Sequence, residues 1–275
     1  MAMTSGAPAG ARGAPEVTRL LGNETAKGLW ILWSHKVTLV PQLALMATTY
    51  LLFQAVLGGG HLVQALLPVT LFAYLAYIVV YVALLKMAAG LLEEVNTGTL
   101  EQTHLSPLPS WLLSVGRLSA VLAEGLLTAA AVGGGLVLAL RIQLPLRPAA
   151  LVPLALILAD IAGFALLIGG LALVVTSIGA IIHVIGSFVM FLNGGLVPVS
   201  VLPRGLEIAA RFVPTTLGLD ATRRVLFGHE TLAGTWGDHS LQWALLHAIL
   251  MLAVGWAVYQ AAIRRGLREG RLGPQ

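Results

Sequence analysis

At 275 residues, with 57% hydrophobic and only 10% charged side chains against about 25% charged in ordinary soluble domains, the chain is too apolar for water to be its main solvent. It has no cysteine, which excludes disulfide frameworks, Cys-ligated zinc, iron–sulfur clusters and thiol nucleophiles. The formal charge of +4 does not mark a nucleic-acid surface, because the basic residues sit at the ends of apolar runs, where they report topology.

Residues 1–15 are rich in Gly, Ala and Pro and lack the apolar core of a signal peptide, so a disordered tail is expected there. Residues 16–36 mix charges with Leu20, Leu21, Trp30 and Trp33, the pattern of a helix lying at the membrane interface. Six apolar runs follow, at 37–57, 62–85, 118–140, 151–175, 178–197 and 241–263, each near the roughly 20 residues a helix needs to cross a bilayer. None alternates in the manner of a barrel strand, and an open sheet in lipid would leave its edge unpaired. The fold class expected is an all-α membrane protein: one transmembrane domain over 16–263, with six spans and a basic tail at 264–275.

An even number of spans puts both termini on one side. Arg12, Arg19, Lys27, Lys36, Lys86, Arg117, Arg264, Arg265, Arg268 and Arg271 fall on that side, against Arg141, Arg147, Arg204, Arg211, Arg223 and Arg224 on the other. Ten basic residues against six make the terminal side cytoplasmic. The connection 198–240 is unusually long: Pro203 can open a short helix that Pro214 ends, Thr215 can cap a second, and Gly228 can close it. A helical hairpin at the outer boundary, dipping inward between the fifth and sixth spans, is expected.

Two stretches carry a family resemblance. Between the second and third runs stands Gly98, Thr99, Leu100, Glu101 and then Pro107; after the fifth stand Gly194, Pro198, Leu202, Pro203, Pro214 and Thr215. In these elements and their topological places the chain resembles the permeases of ABC type-2 exporters. The resemblance implies a dimer with a second copy or a paralogue. It also implies a cytoplasmic ATPase that docks on the first loop (86–111), and export of a hydrophobic or amphipathic compound such as a drug, natural product or lipid. No G-x-x-x-x-G-K-[ST] phosphate loop occurs in the chain, so ATP and Mg²⁺ would be bound by the partner ATPase, with no cofactor in this chain and no catalytic residue.

The residues that bear on this function are few. Glu93, Glu94 and Glu101 are the carboxylates of the first loop, with Glu101 the family-matched docking contact and the others equally readable as solvated charge. The Ser106–Pro109 run would end the docking helix. Asp160 lies nine residues past Leu151, roughly 14 Å into the hydrocarbon, where a charge is costly; substrate contact, proton coupling and a carboxyl satisfied by polar neighbours all remain open. Glu124, one heptad past Arg117, reads as part of an interfacial ion-pair network. His183, Ser187 and Asn193 recur at near-helical spacing in the fifth run, as an inner path or as packing hydrogen bonds. Tyr74, Tyr77 and Tyr81 share one stripe, best read as a packing or lipid face. A membrane-embedded enzyme is the competing class, but no HExxH or G-x-S-x-G motif is present. A secondary transporter would have two broken spans, and only one broken region is visible.

Overall fold

A computed structural model describes residues 36–99, 110–175, 178–195, 199 and 202–269. The expected tail at 1–15, most of the interfacial helix 16–36, and Leu100, Glu101, Pro107 and Pro198 lie outside the described residues. Among the described residues the protein is helical throughout, without strands. In chain order the helices are α1 (Lys36–Leu57), α2 (Leu67–Asn96), α3 (Ser110–Leu140), α4 (Leu151–Ala172), α5 (Ile178–Leu192), α6 (Arg204–Arg211), α7 (Thr216–Leu226), α8 (Leu232–Gly237) and α9 (Ser240–Glu269). A single 3₁₀ turn, Pro148–Ala150, leads into α4.

Five of these helices, α1, α2, α3, α4 and α9, are long and apolar enough to cross a membrane. Of the six expected spans, the fifth is the one without a helix of that length among the described residues. Among the described residues of the apolar run 178–197, the helix is the 15 residues of α5, about 22 Å at 1.5 Å per residue, short of a roughly 30 Å hydrocarbon core. Asn193 and Gly194 stop it: Gly194 takes a positive φ of 76°, and the Asn193 side chain accepts from the Gly195 N–H in place of a continuing helix. The first loop is also shorter than 86–111, because α2 stays helical to Asn96 and α3 starts at Ser110. The basic residues Arg264, Arg265 and Arg268 belong to the end of α9 rather than to a separate tail.

Side-chain contacts fix the direction of each helix. Tyr50 of α1 reaches Leu67 of α2 and Met46 receives Tyr74, so α1 and α2 are antiparallel. Lys86 meets Glu124, Glu94 meets Arg117, and the Gly133 face lies against Leu75, so α2 and α3 are antiparallel too. Asn193 of α5 binds the Ala73 carbonyl while His183 meets Tyr81, which runs α5 against α2. The α4–α9 pair differs: Asp160 lies by His247, Gly163 by Met251 and Gly255, and Gly170 by Tyr259, so these two helices run parallel. The chain leaving α4 must therefore return along the bundle before α9 begins, and short α5 makes that return. One end of the bundle carries the α2–α3 connection, the start of α1 and the end of α9; we call it the loop end. The other carries α6, α7 and α8 and is the hairpin end.

The core sits around α2, the most enclosed span, whose Leu67, Leu71, Ile78, Leu84, Met87 and Leu91 are fully buried. The α4–α9 contact is made by backbone: a Cβ on Gly255 would stand 1.9 Å from the Gly163 carbonyl oxygen, and one on Gly163 would stand 2.4 Å from the carbonyl carbon of Met251. Small residues replace bulk at this crossing because close van der Waals approach, not hydrophobicity, holds helices together in lipid.

Candidate functional site

At the loop end, α2 and α3 are 30 and 31 residues long, about 45 Å each, half again the roughly 30 Å core. Toward the loop end they are tied across twice, by Lys86 to Glu124 at 2.7 Å and by Arg117 to Glu94. Arg117 also donates to the Tyr259 hydroxyl of α9 at 3.1 Å. Of the expected docking residues, Glu93 is exposed, whereas Glu94 is half-buried and engaged by Arg117. Thr97 caps the end of α2 by donating to the Glu93 carbonyl, and Gly98 follows with φ 69°, the left-handed turn that ends a helix without a Cβ penalty. The Thr99 hydroxyl contacts that of Thr97. Glu124 is the ion-pair residue its spacing suggests.

Asp160 is 4% exposed and sits where α4, α7 and α9 meet. Its Oδ2 accepts from the Thr215 N–H at 2.8 Å. Its Oδ1 lies 3.0 Å from Nδ1 of His247, within charge-pairing distance but without the alignment of a hydrogen bond. Thr215 is fully buried and holds φ 81°, a left-handed conformation that a β-branched residue adopts only when its surroundings impose it. Its own hydroxyl has no partner, so three of the buried polar atoms without a hydrogen bond, Asp160 Oδ1, His247 Nδ1 and Thr215 Oγ1, stand in one cluster. The Pro214–Thr215 bend thus descends to the depth of Asp160, and α7 climbs back along α4, with Gly218 on Ile157 and Leu226 clustered with Ala150 and Leu154. A carboxylate at the start of α7 also faces the positive end of that helix.

No protein-family model matches the chain, and no curated protein matches it at a significant level. What the chain does must therefore be argued from its own geometry.

The remaining path candidates do not join Asp160. His183 is exposed on α5 and pairs its Nδ1 with the Tyr81 hydroxyl at 3.2 Å, while Ser187 donates back to the His183 carbonyl. Asn193 is buried and ends α5 by donating to Ala73 O. The tyrosine stripe is a continuous ladder: Tyr50, Tyr74, Tyr77 and Tyr81 stand ring to ring at 5.4, 5.7 and 5.8 Å, and Tyr81 to His183 at 6.1 Å. Tyr50, Tyr74 and Tyr77 line a narrow cleft bounded by Phe53 and Met190. Sequence reasoning missed His247 and Tyr259; a lone histidine seven residues into an apolar run was the one available signal for the first. Among the described residues no three His, Asp or Glu side chains converge as a metal site would require.

Proposed function

We propose that this chain is the permease subunit of an ATP-driven exporter, crossing the cytoplasmic membrane six times with both termini in the cytoplasm. It works as a dimer with a second copy or a paralogue, and a separate ATPase docks on the connection between α2 and α3. The cargo is hydrophobic or amphipathic and leaves the cytoplasm or the inner leaflet. One observation carries the reading: toward the loop end the long helices α2 and α3 are braced by Lys86–Glu124 and Glu94–Arg117, and Arg117 hands the brace on to Tyr259 of α9. A push on that braced end is transmitted as a tilt of α3 and α9 rather than absorbed as loop motion, which is what an external motor requires. The sequence resemblance in Gly98–Glu101 and Pro214–Thr215 supports the same assignment, as does the lack of a phosphate loop in this chain.

The test is purification of the tagged full chain from the membranes of its own cells in mild detergent. A nucleotide-hydrolysing subunit should co-purify, and Glu101→Lys should release it while Glu207→Lys at the hairpin end should not. Recovery of the chain without any ATP-hydrolysing partner would remove the exporter reading.

A further inference from the structure

At the hairpin end, outside every residue used above for transport, Phe72 of α2, Leu151 and Leu154 of α4 and Leu226 of α7 line an apolar groove of about 390 Å³, open along one side. That is in the size range of small-molecule and lipid-chain pockets. Arg147 lines the groove as well, four residues before α4 begins, and therefore stands at headgroup depth rather than within the hydrocarbon. Its guanidinium is half-buried and donates to Nδ1 of His229. That bond requires an unprotonated acceptor, so His229 orients the cation without adding or neutralising charge. Among the described residues no carboxylate stands within ion-pair reach of Arg147; the neighbouring Glu230 lies 4.0 Å from Arg224 instead. His229 itself holds φ 56°, a strained backbone that aims its ring at Arg147.

We propose that this groove binds one anionic phospholipid of the leaflet at the hairpin end, with a phosphate oxygen on the Arg147 guanidinium and an acyl chain between α2, α4 and α7. The two halves of the site each exclude a simpler occupant. An uncompensated cation at the mouth disfavours a plain hydrocarbon chain, and the apolar walls give a free anion nothing beyond one arginine. An amphiphile with a negative head satisfies both, through a charge-assisted contact of the kind arginine makes with phosphate. Leu146 and Leu151, 77% and 67% exposed beside the opening, continue the apolar surface along which such a lipid enters. The inference does not depend on the exporter reading, since it needs only that the chain resides in a bilayer.

Native mass spectrometry of the full chain released from vesicles of equal phosphatidylglycerol and phosphatidylcholine tests it. Wild type should retain one phosphatidylglycerol in preference to phosphatidylcholine. Arg147→Gln should lower that retention by about fivefold, the factor expected for one surface-level cation. Leu154→Trp, which fills the groove without touching the guanidinium, should lower it likewise, and Arg204→Gln, an exposed cation at the same end, should leave it unchanged. Equal retention of the two lipids by wild type overturns the proposal, as does full phosphatidylglycerol retention by either folded groove variant. Thermal stabilisation by inorganic phosphate equal to that by phosphatidylglycerol would make the site one for a free anion and overturn the lipid assignment.

Discussion

A single carboxylate decides how the hairpin is held. Asp160 takes the Thr215 N–H and faces His247, so replacing it by Ala leaves a buried backbone donor without an acceptor and a buried imidazole without its counter-charge. The cost expected is about 1–3 kcal/mol, read as a lowered unfolding temperature in detergent, while Asp160→Asn keeps an oxygen for Thr215 and should lose less. An unchanged melting temperature for Asp160→Ala would show that the contact does not anchor the hairpin. Burial of Asp160 was legible in the sequence, because a lipid-facing carboxylate at that depth is too costly to persist. Its partners were not. Thr215 lies 55 positions away on a helix that never crosses, and no spacing rule says which face of α9 His247 presents to α4.

Between helices, close approach does what bulky side chains do in a soluble core. Gly163 and Gly255 let α4 and α9 touch backbone to backbone, so Gly255→Val forces the pair apart and should destabilise by about 1–3 kcal/mol as overpacking. Gly134→Ala on α3 meets nothing within 4 Å and should be neutral or slightly stabilising, since Gly is a poor helix former. Equal effects of the two in thermal unfolding would contradict the backbone contact. At the hairpin end Arg224 joins Asp220 at 3.1 Å, Asp238 at 2.5 Å and Glu230 at 4.0 Å, linking α7 to the α8–α9 corner. The Asp238 carboxyl is held below its ordinary range first by the Ser240 N–H and further by Arg224. A lowered carboxylate value means that this link is complete above about pH 4 and is lost as pH falls through the folded value. Hydrogen exchange of α8, corrected for intrinsic rates, should therefore quicken only in acid for wild type and already at neutral pH for Arg224→Gln; identical protection in both at neutral pH would contradict the link. Helix existence was readable from apolar runs, but helix ends were not. Near the end of α2, Glu94 pairs with Arg117 of α3, and such a residue looks like a loop charge in a linear reading.

For the molecule as a whole, the contacts put Lys36 and Glu269 at the same end of the bundle although α5 is short. The absence of native cysteine makes this directly measurable. Single cysteines at His61, in the α1–α2 turn, and at Arg268, near the end of α9, should be labelled by a membrane-impermeant maleimide from opposite faces of sealed vesicles, with Arg268 on the cytoplasmic face. Labelling of both from one face would refute the arrangement. The all-helical class followed from hydropathy, and the common end of Lys36 and Glu269 is the one an even number of crossings leads one to expect. The parallel α4–α9 pair did not, since it depends on glycines 92 positions apart finding one another.

The 15 residues of α5 set it against the bilayer itself. A helix about 22 Å long in a hydrocarbon layer near 30 Å leaves a deficit of roughly 8 Å, and hydrophobic mismatch costs fractions of a kcal/mol per ångström. With α5 as the proposed fifth crossing, lipids beside it would compress, or headgroups and water would be drawn down to meet His183 and Ser187 on its exposed face. Membrane thickness thereby becomes a mechanical variable acting on this one segment, relaxed by short-chain lipids and strained by long ones. An annulus thinned in that way would also be where an amphiphile has the shortest hydrocarbon distance to travel.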